Sequence, residues 1–285
     1  MSIISNIKQT LMHYTWDLAY FNYSPDIIEK PLRFENLNIV INPYKTKWFA
    51  DPFILSNNEK ELQLLVEEFD SSVMRGRIAR IAIDKSTNTI TECNVVLDLP
   101  THLSFPAIYR EDGKIYVTPE NSASGALYIY EYNSVTDKLE SKSLLHPEPL
   151  TDAIIDKCDN IYRMYATCLP SPNGNVLNIY EANSLMGPYS MQEQQLLETS
   201  TARMAGYIIH DEDRIIRPAQ DCSSGDYGKA VIFYNESKEI GRFSPQGFKY
   251  SGLHTVNTYK DIGIIDLKRY DYPFIYRLRT TIKGK

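Results

Sequence analysis

The chain is short of cysteine, tryptophan, long apolar runs and basic clusters, and each shortage removes a class of protein. Its four cysteines, Cys93, Cys158, Cys168 and Cys222, include no Cys-x-x-Cys pair. Zinc-ribbon and dithiol redox patterns are therefore absent, and the thiols read as reduced and half-buried. Residues 1–14 lack the unbroken apolar core and the small-residue cleavage site of a secretory signal, and no apolar stretch is long enough for a membrane span. The expectation is a cytoplasmic protein. Basic residues form no block beyond Lys283-Gly284-Lys285, and the formal net charge is −6, so nucleic acid and anionic membranes are poor general partners. Only 2 tryptophans stand beside 21 tyrosines and 10 phenylalanines. Tyrosine suits half-buried strands and sugar-facing clefts, which favours a β-rich fold.

What the chain does have is an irregular repeat of about fifty residues, met five times, each unit opening on polar residues and running into apolar strands. The units open at Ala50-Asp51-Pro52, Ser104-Phe105-Pro106, Leu150-Thr151-Asp152, Arg203-Met204-Ala205 and Gly252-Leu253-His254. Second strands follow at Leu62 to Glu68, Lys114 to Glu120, Ile161 to Tyr165, Arg214 to Asp221 and Ile262 to Asp266. Repeated hairpin units of this length predict an all-β fold, a five-bladed β-propeller, over residues 38–285. Ile3, Ile7, Leu11 and Tyr14 recur at helical spacing and predict a short N-terminal helix within residues 2–20. With a proline-punctuated connector it forms an extension, residues 1–37. The fifth unit has Phe274 to Arg279 as a further strand but too few residues for a full blade, so Asn38 to Ile41 is expected to close the ring.

In a propeller the first strand of each blade lies beside the central axis, so equivalent positions converge on one small volume. Here they hold Asp51, Ser104, Asp152, Arg203 and His254. Carboxylates, a guanidinium and an imidazole in one place can bind and react, whereas scattered Asp and Ser would simply serve turns. Glu120, restrained by Pro119, and Glu68 end second strands and can reach the pocket from its rim. Read structurally instead, Glu120 caps a turn, and Glu67 and Glu68 form a solvated strand end. Arg203, Arg217, His102 and His254 around one pocket suit a carboxylate or phosphate. Alternatively, Arg217 is a buried ion pair with Asp221 or Asp152.

Trp48-Phe49-Ala50-Asp51-Pro52-Phe53, with Asp152 and Gly252-Leu253-His254, resembles the openings of the five-bladed glycosidases of glycoside hydrolase families 43, 32, 68 and 62. A closer resemblance is to a bacterial group related to the N-terminal domain of plant glucosamine inositolphosphorylceramide transferases. It rests on His102-Leu103-Ser104-Phe105-Pro106, Pro119-Glu120, Leu185-Met186-Gly187-Pro188, Arg217-Pro218-Ala219-Gln220-Asp221 and Tyr227-Gly228, within residues 48 to about 257. The resemblance implies Asp51 as general base and Asp152 as a carboxylate that tunes the acid. His254 would help hold a channel cation such as calcium through water. The candidate substrate-binding residues are His102, Ser104, Arg203, Arg217, Gln220, Asp221, Tyr227 and His254. The family's acid position carries Arg203, which cannot donate a proton at neutral pH. Glycoside cleavage needs two carboxyl groups, so Glu120 is the candidate acid. The expected partner is a carbohydrate, sugar phosphate or nucleotide-sugar, acted on by a hydrolase-like or glycosyl-transferring site. The alternative is a sugar-binding or scaffold propeller that has lost its acid.

Overall fold

A computed structural model describes residues 13–211, 213–223, 227–245 and 249–272. The expected strand from Phe274 to Arg279 lies outside these residues, as does the part of the expected helix before residue 13. Strands β1 (Tyr14–Asn22) and β2 (Asn38–Ile39) come first, followed by β3 (Lys47–Asn57), β4 (Glu61–Asp70), β5 (Arg75–Asp84) and β6 (Thr89–Leu97). Next are β7 (Ser104–Glu111), β8 (Lys114–Glu120), β9 (Leu127–Asn133) and β10 (Lys138–His146), then β11 (Leu150–Cys158), β12 (Ile161–Cys168), β13 (Val176–Ala182) and β14 (Ser190–Leu196). The last are β15 (Ile209–Asp211), β16 (Arg214–Gln220), β17 (Val231–Asn235), β18 (Lys238–Phe243), β19 (Val256–Tyr259) and β20 (Ile262–Tyr270). They form five four-stranded antiparallel sheets, the blades of an all-β propeller.

The ring closes through the N-terminus in the order β19-β20-β1-β2. From Tyr14 onward the helical expectation is corrected, because Tyr14–Asn22 is strand. β1 pairs with β20 along its whole length, from Tyr14↔Tyr270 to Asn22↔Ile262, and so belongs to the propeller. The run Trp16, Leu18, Ala19, Tyr20, Phe21 is buried on both faces, which a strand between two neighbours requires and an amphipathic surface helix does not. Asn38–Ile39 is the outermost strand, so two N-terminal strands close the blade where one was expected.

Neighbouring blades pack through apolar faces. Phe53 of the first blade meets Phe105 of the second edge-on, centroids 4.9 Å apart, and Tyr207 of the fourth at 5.2 Å. Phe53 and Phe105 are fully buried and Tyr207 half-buried, and full burial of such a ring contributes roughly 1.5–3 kcal/mol. The Tyr207 hydroxyl is anchored across the ring by Ile108, whose N–H donates to it at 2.7 Å.

The first three blades share a local device. Each innermost strand carries a bulge, between Ala50 and Phe53, Ser104 and Ala107, and Thr151 and Ile154. In each the second residue has a left-handed backbone: Asp51 at φ 50°, Phe105 at 45° and Asp152 at 47°. Bulges re-aim side chains and gather beside functional sites. They also correct the alignment of the repeats: the position equivalent to Asp51 and Asp152 is Phe105, and Ser104 stands beside it.

Candidate functional site

The bulges deliver Asp51 and Asp152 to the axis in different company. Asp51 Oδ1 accepts from the Thr255 hydroxyl at 2.7 Å, and Oδ2 accepts from the Phe105 N–H at 3.2 Å. His254 Nε2 lies 3.7 Å from Oδ1. Burial pushes the Asp51 pKa up to about 7; His254 opposes the rise, while Asp152, Glu67 and Asp266 add to it. Such a carboxyl both holds and releases a proton near neutrality. Asp152, by contrast, is neutralised. Arg203 donates to it through Nε at 2.6 Å and Nη2 at 3.3 Å, and Gln220 Nε2 donates at 2.7 Å. Burial opposes the Arg203 charge, but the Asp152 carboxylate outweighs it and raises the guanidinium pKa. Arg203 Nη1 is held by Asn173 at 2.7 Å.

Beneath Asp51 lies Asp266, a residue whose role the sequence did not disclose. It is fully buried and accepts from the backbone N–H of Asp51 (3.1 Å), His254 (2.9 Å) and Thr255 (3.0 Å), while His254 Nδ1 stands 2.6 Å from its Oδ2. The His254 ring is sandwiched by Trp16 at 4.0 Å and Tyr227 at 5.7 Å. Burial pulls its pKa down, yet Asp266 and Asp51 prevail and leave it raised.

A cavity of about 340 Å³ opens over these groups. Asp51, Glu67, Glu120, His102, Ser104, Arg203, Tyr227 and His254 line it, with Tyr14, Trp16, Trp48 and Phe69 as aromatic wall. Trp48 and Phe69 stack at 4.8 Å, 3° from parallel. Glu120 accepts from the Ser104 hydroxyl at 3.2 Å and the Ser122 N–H at 2.9 Å. Most of the expected set therefore converges.

Three expected ligand contacts do not. Arg217 lies in a separate groove between the third and fourth blades, where Nη1 donates to the Thr201 carbonyl at 2.9 Å and the guanidinium covers the Tyr234 ring. Burial lowers its pKa to about 10. It pairs with neither Asp221 nor Asp152, because Asp221 accepts from Arg242 at 2.8 Å and Asp152 belongs to Arg203. Asp221 also accepts from Ser223 and ties a turn outside the pocket. Gln220 sits behind Asp152 and orients it, its Nε2 also donating to the Met204 carbonyl at 2.9 Å.

Nor are Glu67 and Glu68 a solvated strand end, since both are buried. Successive strand side chains point to opposite faces, so the two part company. Glu68 turns outward from the pocket to Arg77, at 2.8 and 3.0 Å, and to Lys47 at 2.5 Å. Glu67 faces the pocket, 3.2 Å from His102 Nε2. The ladders pair Ala50 with Glu67 and Ser104 with Glu120, which makes Glu67, not Glu68, the equivalent of Glu120. Counting back from the Asp51 bulge would have found it.

The family model for the N-terminal region of glucosamine inositolphosphorylceramide transferase 1 matches residues 37–244. The chain belongs to this family. It is 28% identical over 202 residues to the transferase of that name from Oryza sativa subsp. japonica, covering 68% of the chain and 27% of the relative. The Arabidopsis thaliana protein is 26% identical over 194 residues, covering 65% and 25%. The chain thus spans about a quarter of the length of these relatives. Among solved structures, the catalytic domain of a Coprinopsis cinerea GH62 α-L-arabinofuranosidase superposes with a TM-score of 0.55 at 7% identity, covering 90% of this chain and 98% of that one. An α-L-arabinofuranosidase of Podospora anserina gives 0.53 at 8%, covering 90% and 97%. These likenesses are likenesses of fold.

The glycosidase resemblance carried the expectation of a channel cation near His254. Among the described residues the one group of side chains able to hold a metal is Asp51, His254 and Asp266. Calcium takes about six to eight oxygen ligands. Here every Asp266 oxygen faces N–H donors, both Asp51 oxygens accept hydrogen bonds, and the Arg203 charge is close by. These residues do not fit a calcium cage. Among the described residues no helix is long and apolar enough to cross a membrane.

Proposed function

We propose that the central pocket binds a small glycan or activated sugar and makes or breaks its glycosyl bond. The observation that carries this reading is the convergence of Asp51, Glu67 and Glu120 on one cavity walled by Trp16, Trp48, Phe69 and Tyr227. Aromatic faces accept the apolar side of a sugar ring, and paired carboxyls supply the proton transfers. Asp51 exchanges a proton near neutral pH, as general acid–base work demands, and Glu120 is the second carboxylate named by the sequence. The relatives named transferases and the fold neighbours named arabinofuranosidases support a carbohydrate ligand. The ligand class comprises a neutral glycan, a sugar phosphate and a nucleotide-sugar.

A second reading is a sugar-binding propeller without turnover, favoured by Arg203, which fills the acid position and neutralises Asp152. A thermal-shift screen against monosaccharides, sugar phosphates and nucleotide-sugars, followed by turnover assays on the stabilising ligands, separates the two. The catalytic reading expects Asp51→Asn to keep the thermal shift and lose about 100-fold or more in turnover of an unactivated glycoside. A ligand bound but never turned over by the wild type leaves the binding reading. Absence of any shift refutes both.

A further inference from the structure

Four carboxylates approach the pocket, and their partners sort them. Asp152 is bound to Arg203. Both Glu120 oxygens accept hydrogen bonds, from Ser104 and from Ser122. Asp51 sits in its web of Thr255, Phe105 and His254. Glu67 differs: Oε1 meets His102, while Oε2 has no hydrogen-bond donor among the described residues and belongs to a side chain that lines the cavity.

His102 does not meet Glu67 by accident of rotamer. The Gly76 N–H donates to His102 Nδ1 at 2.9 Å, so that nitrogen must present a lone pair and the ring proton must sit on Nε2, facing Glu67. Gly76 can come this close because it lacks a side chain. A Cβ there would stand 2.4 Å from the Leu103 carbonyl, 2.7 Å from Glu67 Oε1 and 2.8 Å from His102 Cε1. The Gly76 carbonyl also accepts the Leu103 N–H at 3.1 Å, which clasps the second blade's entry to the first blade. A backbone, a fixed tautomer and a buried carboxylate thus form one unit with a single oxygen left for a ligand.

We infer that Glu67 is a further catalytic residue of this pocket, the base that takes the proton from an acceptor water or hydroxyl, and that His102 is its positioning residue. The inference rests on the reading of the pocket as a glycosyl-bond site. In the step, the acceptor O–H bond breaks and its proton passes to Glu67 Oε2. The acceptor oxygen forms a bond to the anomeric carbon as the bond from that carbon to the leaving oxygen breaks. The electron pair goes to the leaving oxygen, which is protonated by Asp51 where it requires a proton. Asp51 is then the donor, the reverse of the role the family resemblance gave it. Its buried carboxyl, held near 7, supports that exchange.

The test uses leaving groups that depart without a proton, which isolates the base. Wild type, Glu67→Ala, His102→Gln, Glu120→Gln and Asp51→Asn are assayed on p-nitrophenyl α-L-arabinofuranoside, β-D-xyloside, β-D-galactoside and N-acetyl-β-D-glucosaminide, and on UDP-N-acetylglucosamine. Release of p-nitrophenol or UDP is read, and circular dichroism melts confirm folding. The expectation is a loss of about 100-fold or more in kcat for Glu67→Ala, with sodium azide restoring turnover as the glycosyl azide. His102→Gln should lose about tenfold in kcat at unchanged KM, and Asp51→Asn should lose far less here than on methyl glycosides. An active wild type with Glu67→Ala within threefold of it, or a crippled Glu67→Ala that azide does not rescue, overturns the assignment of the base. A wild type inert on every probe overturns instead the glycosyl-bond reading, and the inference falls with it.

Discussion

Blades one to three and blades four and five are built from the same repeat but meet the axis differently. The first three present innermost strands of eight to eleven residues, Lys47–Asn57, Ser104–Glu111 and Leu150–Cys158, bulged at one common place. The last two have innermost strands of only three and four residues, Ile209–Asp211 and Val256–Tyr259. Arg203 and His254 stand before those strands, the chain there being held by the isolated bridges Met204↔Ala219 and Gly252↔Lys268. At Gly206 it passes so near the fifth blade that a Cβ would lie 1.9 Å from the Val256 carbonyl. The regular half supplies Asp51, Glu67, Glu120 and Asp152, and the irregular half supplies Arg203 to Asp152 and His254 beside Asp51. A regular ladder fixes where a carboxylate points. A short strand with a loose approach lets a long or bulky cation settle against it.

The severest way to break this arrangement is to remove a cation from the irregular half. Arg203→Ala strands a buried Asp152 carboxylate and is expected to cost about 3–5 kcal/mol in urea unfolding. Adding Asp152→Asn should recover more than half of that loss; a double variant as unstable as the single one would mean that the pair does not hold the two halves together. Next comes the regular half's own ion pair. Glu68→Gln, which weakens contacts to the partly exposed Arg77 and Lys47, should cost about 2 kcal/mol and leave ligand-induced thermal shifts intact, because Glu68 points away from the pocket.

Asp51→Asn sharpens the comparison through pH. With its folded pKa raised to about 7 from an ordinary 3.8, the unfolded chain releases this proton first as pH climbs. Wild-type stability therefore falls across roughly pH 4 to 7, and the asparagine variant escapes that fall. His254 keeps its Asp266 partner in both proteins. The melting temperature of the variant relative to wild type should climb by a few degrees over that window and level off above it; a flat difference would show that Asp51 is ionised throughout. The smallest effect is expected at Arg217→Gln, which should leave sugar-induced thermal shifts unchanged, since Arg217 lies in the outer groove.

Much of this was legible in the sequence because propeller repeats are local. A hairpin with apolar strands and a turn declares itself within a dozen residues, and five of them declare a ring. Asp51, Ser104, Asp152, Arg203 and His254 reach or adjoin the cavity from the repeat openings, and Glu120, at a second-strand end, lines it with His102 and Tyr227. Periodicity failed at Tyr14–Asn22, where residues buried on both faces satisfy helical spacing and strand alike until the partner β20 is known. Glu67 and Glu68 were indistinguishable for a related reason. Adjacent strand residues take opposite faces, and only the bulge at Asp51 says which face is which.

By itself, then, the sequence determined the number of blades, their polar openings and the arginine, Arg203, that opens the fourth. Those properties depend on residue type and short-range order. The tertiary structure decided that Arg203 is spent on Asp152, that Arg217 and Asp221 are held by partners away from the pocket, that Asp266 underpins Asp51 and His254, and that Gly76 fixes the tautomer of His102. Each joins residues far apart in the chain or turns on a register of one residue. Which buried charge meets which partner is settled by the closing of the ring, because desolvation makes an uncompensated buried charge costly.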